Sequence, residues 1–199
     1  MVTQSTTKLE AVNAMLSALG ESPVTSLIGT LPADVTKAVA VLDEVAREVL
    51  SRGWHFNSED EVEFVPGAND EIVLPANIVR ADAPVGLYDK NLTVIGNKLY
   101  DKQAHTFAFT ESEIKLNVVY LRDFEEIPEA ARRFITVRAA RILYDRMTDS
   151  SGRNVPLLRD EQSALSDLKA FEGDTGDYTI FQNFGAFRVV NRGNPFTRI

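Results

Sequence analysis

The first hydrophobic pattern along the chain has the period of an amphipathic helix. Between Lys8 and Leu19, apolar side chains recur every three or four residues and fall within an arc of about 120° on a helical wheel. Thr7 and Glu10 have the spacing of a capping box, and Gly20 stands where a left-handed residue ends many helices. The pattern therefore predicts a helix from Lys8 to Leu19 with one buried face.

A second helical pattern follows a short loop that contains proline and glycine. Asp34 is a favourable N-cap residue, and the helix is expected to end before Gly53. Its charged residues lie outside an apolar arc of about 140°. The side chains in that arc are Val35, Ala38, Val39, Leu42, Val45, Ala46, Val49 and Leu50.

From Trp54 to about Leu121 the pattern changes to short runs rich in β-branched and aromatic residues. We interpret these runs as strands of a small antiparallel sheet. The pair Gly96-Asn97 between two such runs indicates a two-residue hairpin, because both residues tolerate positive φ. The runs are EVEFV (61–65), EIVLP (71–75), LTVIGNKLY (92–100), HTFAF (105–109) and IKLNVVYL (114–121).

Helical periodicity returns in the last third of the chain. Pro128 suits the first position of a third helix that runs to about Met147. Asn154 and Pro156 open a fourth helix that continues to about Phe171. Beyond it, glycines and polar residues alternate with aromatic side chains and show no amphipathic period, which is typical of an extended arm.

Together these patterns predict an α+β fold. Residues 1–53 and 122–172 are expected to pack as one four-helix bundle, because helices from both ends of the chain flank the strands. Residues 54–121 are expected to form an inserted antiparallel β domain, and residues 173–199 an extended C-terminal arm.

Composition narrows the classes of function. The 199 residues carry a net charge of −8, which disfavours proteins that wrap nucleic acid by neutralising phosphates. No cysteine is present, so disulfides, thiolate zinc sites, iron–sulfur clusters and cysteine nucleophiles are excluded. No apolar run has the length of a membrane helix, and the first residues lack the layout of a signal peptide, so we expect a chain kept in cytosol-like solvent. We predict neither a cofactor nor a metal.

One acidic cluster precedes and opens the third helix. Two of its carboxylates could act as the acid and the nucleophile or base of a glycoside hydrolase. The simpler interpretation is that negative side chains are stabilised near a helix N-terminus, by about 0.3 to 1 kcal/mol each. The residues are Asp123, Glu125, Glu126 and Glu129.

The third helix is basic although the whole chain is acidic. Arg138, Arg141 and Asp145 fall in the arc that also holds Phe134 and Ile142, so a polar strip follows a face that should be buried. These arginines either form an intramolecular salt-bridge network or contact a neighbouring protein. The candidate interface residues are Arg132, Arg133, Arg138 and Arg141 on the helix, and Tyr178, Phe181, Phe184 and Phe187 in the arm.

Three blocks resemble a known family. They are LEAVNAMLSALGESPVTSL (9–27), SRGWHFNSE (51–59) and YLRDFEEIPEAARRFI (120–135). In order and spacing they are similar to the tail tubular protein A family, the adaptor of short-tailed T7-like bacteriophages. The last 25 or so residues match only loosely.

This resemblance implies a structural protein of the virion tail that is assembled in the host cytoplasm. The family forms a twelve-fold ring between the portal protein and the nozzle made of tail tubular protein B, and DNA passes through the ring without sequence-specific binding. The expected fold is a helical bundle bearing a small β domain, and no membrane insertion is implied. The alternative is a virion-associated hydrolase of host capsule or envelope polysaccharide that uses the carboxylate cluster. A DNA-contacting gate is a third, weaker possibility.

Overall fold

The computed structural model describes residues 5–84, 90–148 and 155–175. Within these ranges the chain forms four α-helices, five β-strands and a 3₁₀ turn at His55–Asn57. The helices are α1 (Lys8–Leu19), α2 (Ala33–Leu50), α3 (Glu129–Met147) and α4 (Val155–Thr175). The strands are β1 (Ser58–Phe64), β2 (Ile78–Asp82), β3 (Leu92–Ile95), β4 (Lys98–Asp101) and β5 (Ile114–Tyr120). The mixed α and β content is as predicted.

Helix α1 has the predicted bounds and the predicted caps. The Thr7 hydroxyl accepts a hydrogen bond from the Glu10 amide at 3.2 Å, and the Glu10 carboxylate accepts one from the Thr7 amide at 2.8 Å. Gly20 ends the helix in the left-handed conformation, with φ at +81°. The capping-box and terminator predictions are confirmed, because both depend on local backbone geometry alone.

Helix α2 begins two residues earlier than an N-cap at Asp34 implies, and Asp34 as its N-cap is wrong. Pro32 occupies the N-cap, no side chain caps the helix, and Asp34 lies in the first turn. Proline has a fixed φ, so the chain enters the helix directly at Ala33. Most of the predicted apolar arc is buried; Val41 joins it, whereas Val39 and Ala46 are only partly covered.

Helix α3 contacts each of the other three helices. Pro128 is its N-cap and not its first residue, and the predicted end at Met147 is confirmed. Helix α4 packs along α3 and makes a smaller contact with the 3₁₀ turn. It continues through Gly173 to Thr175, so its predicted end at Phe171 is wrong. The arrangement as a four-helix bundle stays a prediction.

The strands form two sheets, whereas one was predicted. Three strands pair in the order β1-β5-β2, and β3 pairs with β4. The runs EIVLP and HTFAF are not strands; they make only isolated bridges, such as Glu71 with Ala108 and Val73 with Lys98. Strand β2 was missed because its sequence, IVRAD, does not alternate between apolar and polar residues.

The Gly96-Asn97 hairpin is confirmed. Ile95 pairs directly with Lys98, which leaves these two residues as the turn between β3 and β4. Gly96 has φ at +66°, and Asn97 is not among the residues with positive φ. A turn with positive φ at its first central residue is one of the two that fit the twist of a hairpin.

Buried apolar side chains form two clusters. The helical cluster draws on α1, α2, α3 and α4, together with Phe124 and Ile127. The second cluster lies in the β part of the chain, draws on both the strands and the segments between them, and includes Ile72, Leu99 and Phe109. The division into domains at residues 53 and 122 stays a prediction.

Asn57 joins the end of α2 to strand β5. Its side chain is fully buried and donates to the Leu50 carbonyl at 2.9 Å and the Tyr120 carbonyl at 2.7 Å. Its amide oxygen accepts a hydrogen bond from the Trp54 amide at 2.8 Å. This one side chain therefore links the helical part and the β part of the chain.

We expect Gly53→Ala to destabilise the protein more than Gly96→Ala. Both glycines have positive φ, so each alanine strains the backbone by about 1–2 kcal/mol. At Gly53 a Cβ would also displace the flexible end of Arg80 and lie 3.0 Å from Val119 Cγ2, which is buried and cannot move easily, whereas at Gly96 it would meet open space. This overpacking should add about 1 kcal/mol or more to the loss in unfolding free energy, measured by urea denaturation. Equal losses would contradict the close approach at Gly53.

Candidate functional site

Helix α3 carries most of the candidate interface residues. Its sequence holds five arginines and two acidic residues, and it contacts each of the other three helices. A guanidinium group stays charged at any ordinary pH, so each one near the core requires acceptors. The positions of those acceptors show which arginines are bound within the subunit and which are accessible to a partner.

Arg138 and Arg141 share one buried carboxylate, that of Glu161 on α4. Arg138 donates to Glu161 at 2.6 Å, and Arg141 Nε donates to the second oxygen of the same carboxylate. Arg138 also donates to Glu48 on α2 at 2.8 Å, and Arg141 to Asp145 at 3.0 Å. Only 9% of the Glu161 side chain is exposed. The network therefore ties α2, α3 and α4 together.

The pKa values of this network favour the charged forms. Burial opposes ionisation of Glu161, but hydrogen bonds from Arg141 and Arg138 outweigh burial and lower its pKa. Burial also opposes the charged form of Arg138 and so lowers its pKa, but the hydrogen bonds to Glu161 and Glu48 outweigh burial and raise that pKa. The pKa of Arg141 is raised chiefly by its hydrogen bond to Glu161. All three groups are therefore ionised at neutral pH.

Arg132 is buried and binds backbone carbonyls. Its Nε donates to Ile127 at 2.8 Å, its Nη1 to Thr6 at 2.8 Å and its Nη2 to Glu125. Three donors from one planar group thus fix the segment before α1 against the segment before α3. This arginine has a clear intramolecular role.

The remaining arginines of α3 are exposed. Arg146 forms two parallel hydrogen bonds to Glu44, at 2.7 and 2.8 Å. Arg133 reaches Asp167 at 3.4 Å, and 60% of its side chain is exposed. Every arginine of α3 thus has a partner within the described part of the chain. Contact of Arg132, Arg133, Arg138 and Arg141 with a neighbouring subunit stays a prediction, and Arg133 has the most accessible side chain of these four.

The acidic cluster serves mainly as acceptor for nearby backbone groups. All four side chains are exposed. Glu129 accepts hydrogen bonds from the amide and hydroxyl of Thr6, at 2.8 and 2.5 Å. Glu126 accepts from the Asp123 amide at 3.2 Å, and Glu125 from the Lys8 amide at 3.3 Å. Nothing in this geometry supports the hydrolase alternative.

Tyr178, Phe181, Phe184 and Phe187 lie outside the described residues. Among the residues that the structure describes, no cluster of histidine or acidic side chains could hold a metal ion. In the same residues, no helix has the length and apolarity needed to span a bilayer.

Sequence reasoning missed Glu161, the shared acceptor of the network. Leu157, Glu161, Ala164 and Leu168 follow one another at intervals of three or four residues, and the last three are buried. The sequence did contain a signal for it. Glu161 is a single carboxylate within an apolar stripe, and the preceding helix carries arginines that need an acceptor.

Comparison with known proteins places the chain in a family. The model of the tail tubular protein family matches residues 9–178, so the chain belongs to this family and is a structural protein of a bacteriophage tail. Tail tubular protein A of Klebsiella phage KP34 is 33% identical over 133 residues, which are 64% of this chain and 66% of that protein. The match thus spans just under two thirds of that relative. The resemblance found in the sequence is confirmed.

Substitution of Glu161 by glutamine should destabilise the protein by about 2 kcal/mol, because two partly buried guanidinium groups lose their shared counter-charge. Glu44→Gln is the matched control: it removes a carboxylate from an exposed pair with Arg146, and its effect should be much smaller. Urea denaturation of both variants measures the difference. Equal effects would contradict the importance of burial at Glu161.

The Glu161 contribution should also depend on pH. Because the pKa of Glu161 is lowered in the folded chain, its stabilisation is present above the unfolded pKa of about 4.3 and is lost as the pH falls through the folded pKa. The difference in unfolding free energy between the natural chain and Glu161→Gln should therefore shrink below about pH 4. Urea denaturation between neutral and acid pH tests this, and a constant difference would contradict it.

Proposed function

We propose that the chain is the adaptor subunit of a short-tailed phage. Twelve copies form a ring that joins the portal protein to the nozzle of tail tubular protein B. The observation that carries this proposal is the family match over residues 9–178, which covers all four described helices and all five strands. The ring belongs to the virion tail and is assembled in the host cytoplasm.

A ring requires two different complementary surfaces on each subunit. Strand β1 supports one of them: Asp60 and Glu61 are exposed on this edge strand of the three-stranded sheet. The helices support the other, because Arg47 and Arg133 are exposed on α2 and α3. Opposite charges on separate parts of one chain favour a head-to-tail contact and disfavour a wrong register.

The ring also forms part of the channel through which DNA leaves the capsid. Residues 61–121 carry nine acidic and five basic side chains, and the whole chain has a net charge of −8. Acidic side chains that face the channel would repel the phosphate backbone and keep the genome from binding during ejection. A channel surface of lysine and arginine would contradict this part of the proposal.

The proposed ring predicts assembly on purified portal protein. Mixed with portal, the chain should form a complex whose mass corresponds to twelve added subunits, as measured by native mass spectrometry. Arg133→Glu should weaken assembly, because its exposed side chain is a candidate contact. Lys102→Glu, a charge reversal at an exposed position after β4, is the control.

Failure of the natural chain to bind portal would contradict the adaptor role. Equal weakening by both substitutions would show a general effect of charge and would contradict a specific role for Arg133. Circular dichroism of each variant separates a lost contact from a lost fold.

A further inference from the structure

Helices α2 and α3 enclose an apolar groove with a volume of about 480 Å³. Its floor is formed by the buried side chains of Val41 and Leu143, and its walls include the exposed Ala40 and the partly exposed Met147. Lys37, Glu44 and Arg146 form the polar rim. Binding pockets for small apolar groups have volumes in this range, so the groove has room for aromatic side chains.

The groove has a polar link at its rim and an adaptable wall. The two hydrogen bonds between Arg146 and Glu44 connect α3 to α2 at the rim. Met147 is unbranched and polarizable, and methionine at a binding surface accommodates aromatic rings of different orientation. No side chain in the described part of the chain fills this volume.

The C-terminal segment carries the aromatic side chains that such a groove accepts. Residues 176–199 include five aromatic residues, and four of them stand three positions apart. These four are Tyr178, Phe181, Phe184 and Phe187. Aromatic side chains bury much apolar area and lose little conformational entropy, so they are effective anchors in a groove.

The position at which α4 ends bears on whether residues 176–199 bind the groove of their own subunit or that of a neighbour. The Glu172 carboxylate accepts a hydrogen bond from the His55 amide at 2.6 Å, so α4 ends beside the residues that follow α2. The groove lies at the other end, beside Lys37 and Glu44 in the first two thirds of α2. The described chain therefore ends at Thr175, away from the groove of the same subunit, and 24 further residues would span up to about 80 Å if extended, which is enough to reach a neighbouring subunit.

We propose that residues 178–187 of one subunit bind in the α2–α3 groove of the neighbouring subunit through their aromatic side chains. The inference rests on the proposed ring, and it supplies a head-to-tail contact of the kind that a ring requires. A terminal segment that binds a neighbour in this way joins subunits without forming a core of its own.

Cross-linking of the full chain tests the proposal. The natural sequence contains no cysteine, so only introduced thiols react. The test variant carries Ala40→Cys in the groove wall and Asn183→Cys between Phe181 and Phe184, which leaves every aromatic anchor in place. The control carries Asn183→Cys with Ser163→Cys, at an exposed position of α4. Rings assembled on portal are treated with a short bismaleimide and separated on a denaturing gel.

We expect a ladder of cross-linked subunits, with a yield about tenfold above the control because the groove raises the local concentration of the segment. Cross-links only within single chains would overturn the proposal in favour of the subunit's own groove. Equal yields from both variants, or rings without cross-links, would also overturn it.

Groove filling provides a second test. Ala40→Trp should block the segment and abolish cross-linking between Asn183→Cys and a cysteine introduced at Lys37, whereas Ala14→Trp, at an exposed position of α1, should not. If rings form and the cross-link persists with Ala40→Trp, or is lost equally with Ala14→Trp, the groove assignment alone is contradicted. If the cysteine-free chain forms no complex with portal, the adaptor role fails, and the groove assignment fails with it.

Discussion

The central constraint on this structure is the charge of helix α3. The helix contacts α1, α2 and α4, yet five of its residues are arginines that cannot lose their protons. Arg138 and Arg141 are accommodated because Glu161 accepts from both and because Glu48 and Asp145 each accept one further bond. This pairing fixes the position of α4 along α3, since a shift of α4 would leave guanidinium groups near the core without a counter-charge.

A second polar contact sets the relation between the helices and the strands. Asn57 is buried and joins the end of α2 to the end of β5, and Gly53 allows the close approach of Arg80 and Val119 just before it. Both residues lie in the segment 51–59 that resembles the tail tubular proteins. That segment therefore has a structural reason for its residues: it positions strand β5 against the end of α2.

The helices were predictable because caps and apolar periods are local. Thr7, Glu10 and Gly20 specify α1 without knowledge of any tertiary contact. The strands were less predictable. EIVLP has the composition of a strand, yet Ile72 and Leu74 are buried in a segment that makes only isolated bridges. Strand β2 was missed because it has no alternating pattern. At the site, the wheel identified the polar strip of Arg138 and Arg141, but their shared acceptor lies 20 or more residues further on, and only packing brings it near.

The way α4 is held has a consequence for how the subunit can change shape. Its described buried side chains are Glu161, Ala164 and Leu168, and the last two belong to the same apolar cluster as α1, α2 and α3. Release of α4 would thus expose apolar surface and would at the same time leave the guanidinium groups of Arg138 and Arg141 without their shared acceptor. The last helix is therefore coupled to the other three both by burial and by charge, and we expect the subunit to change shape without letting α4 open separately.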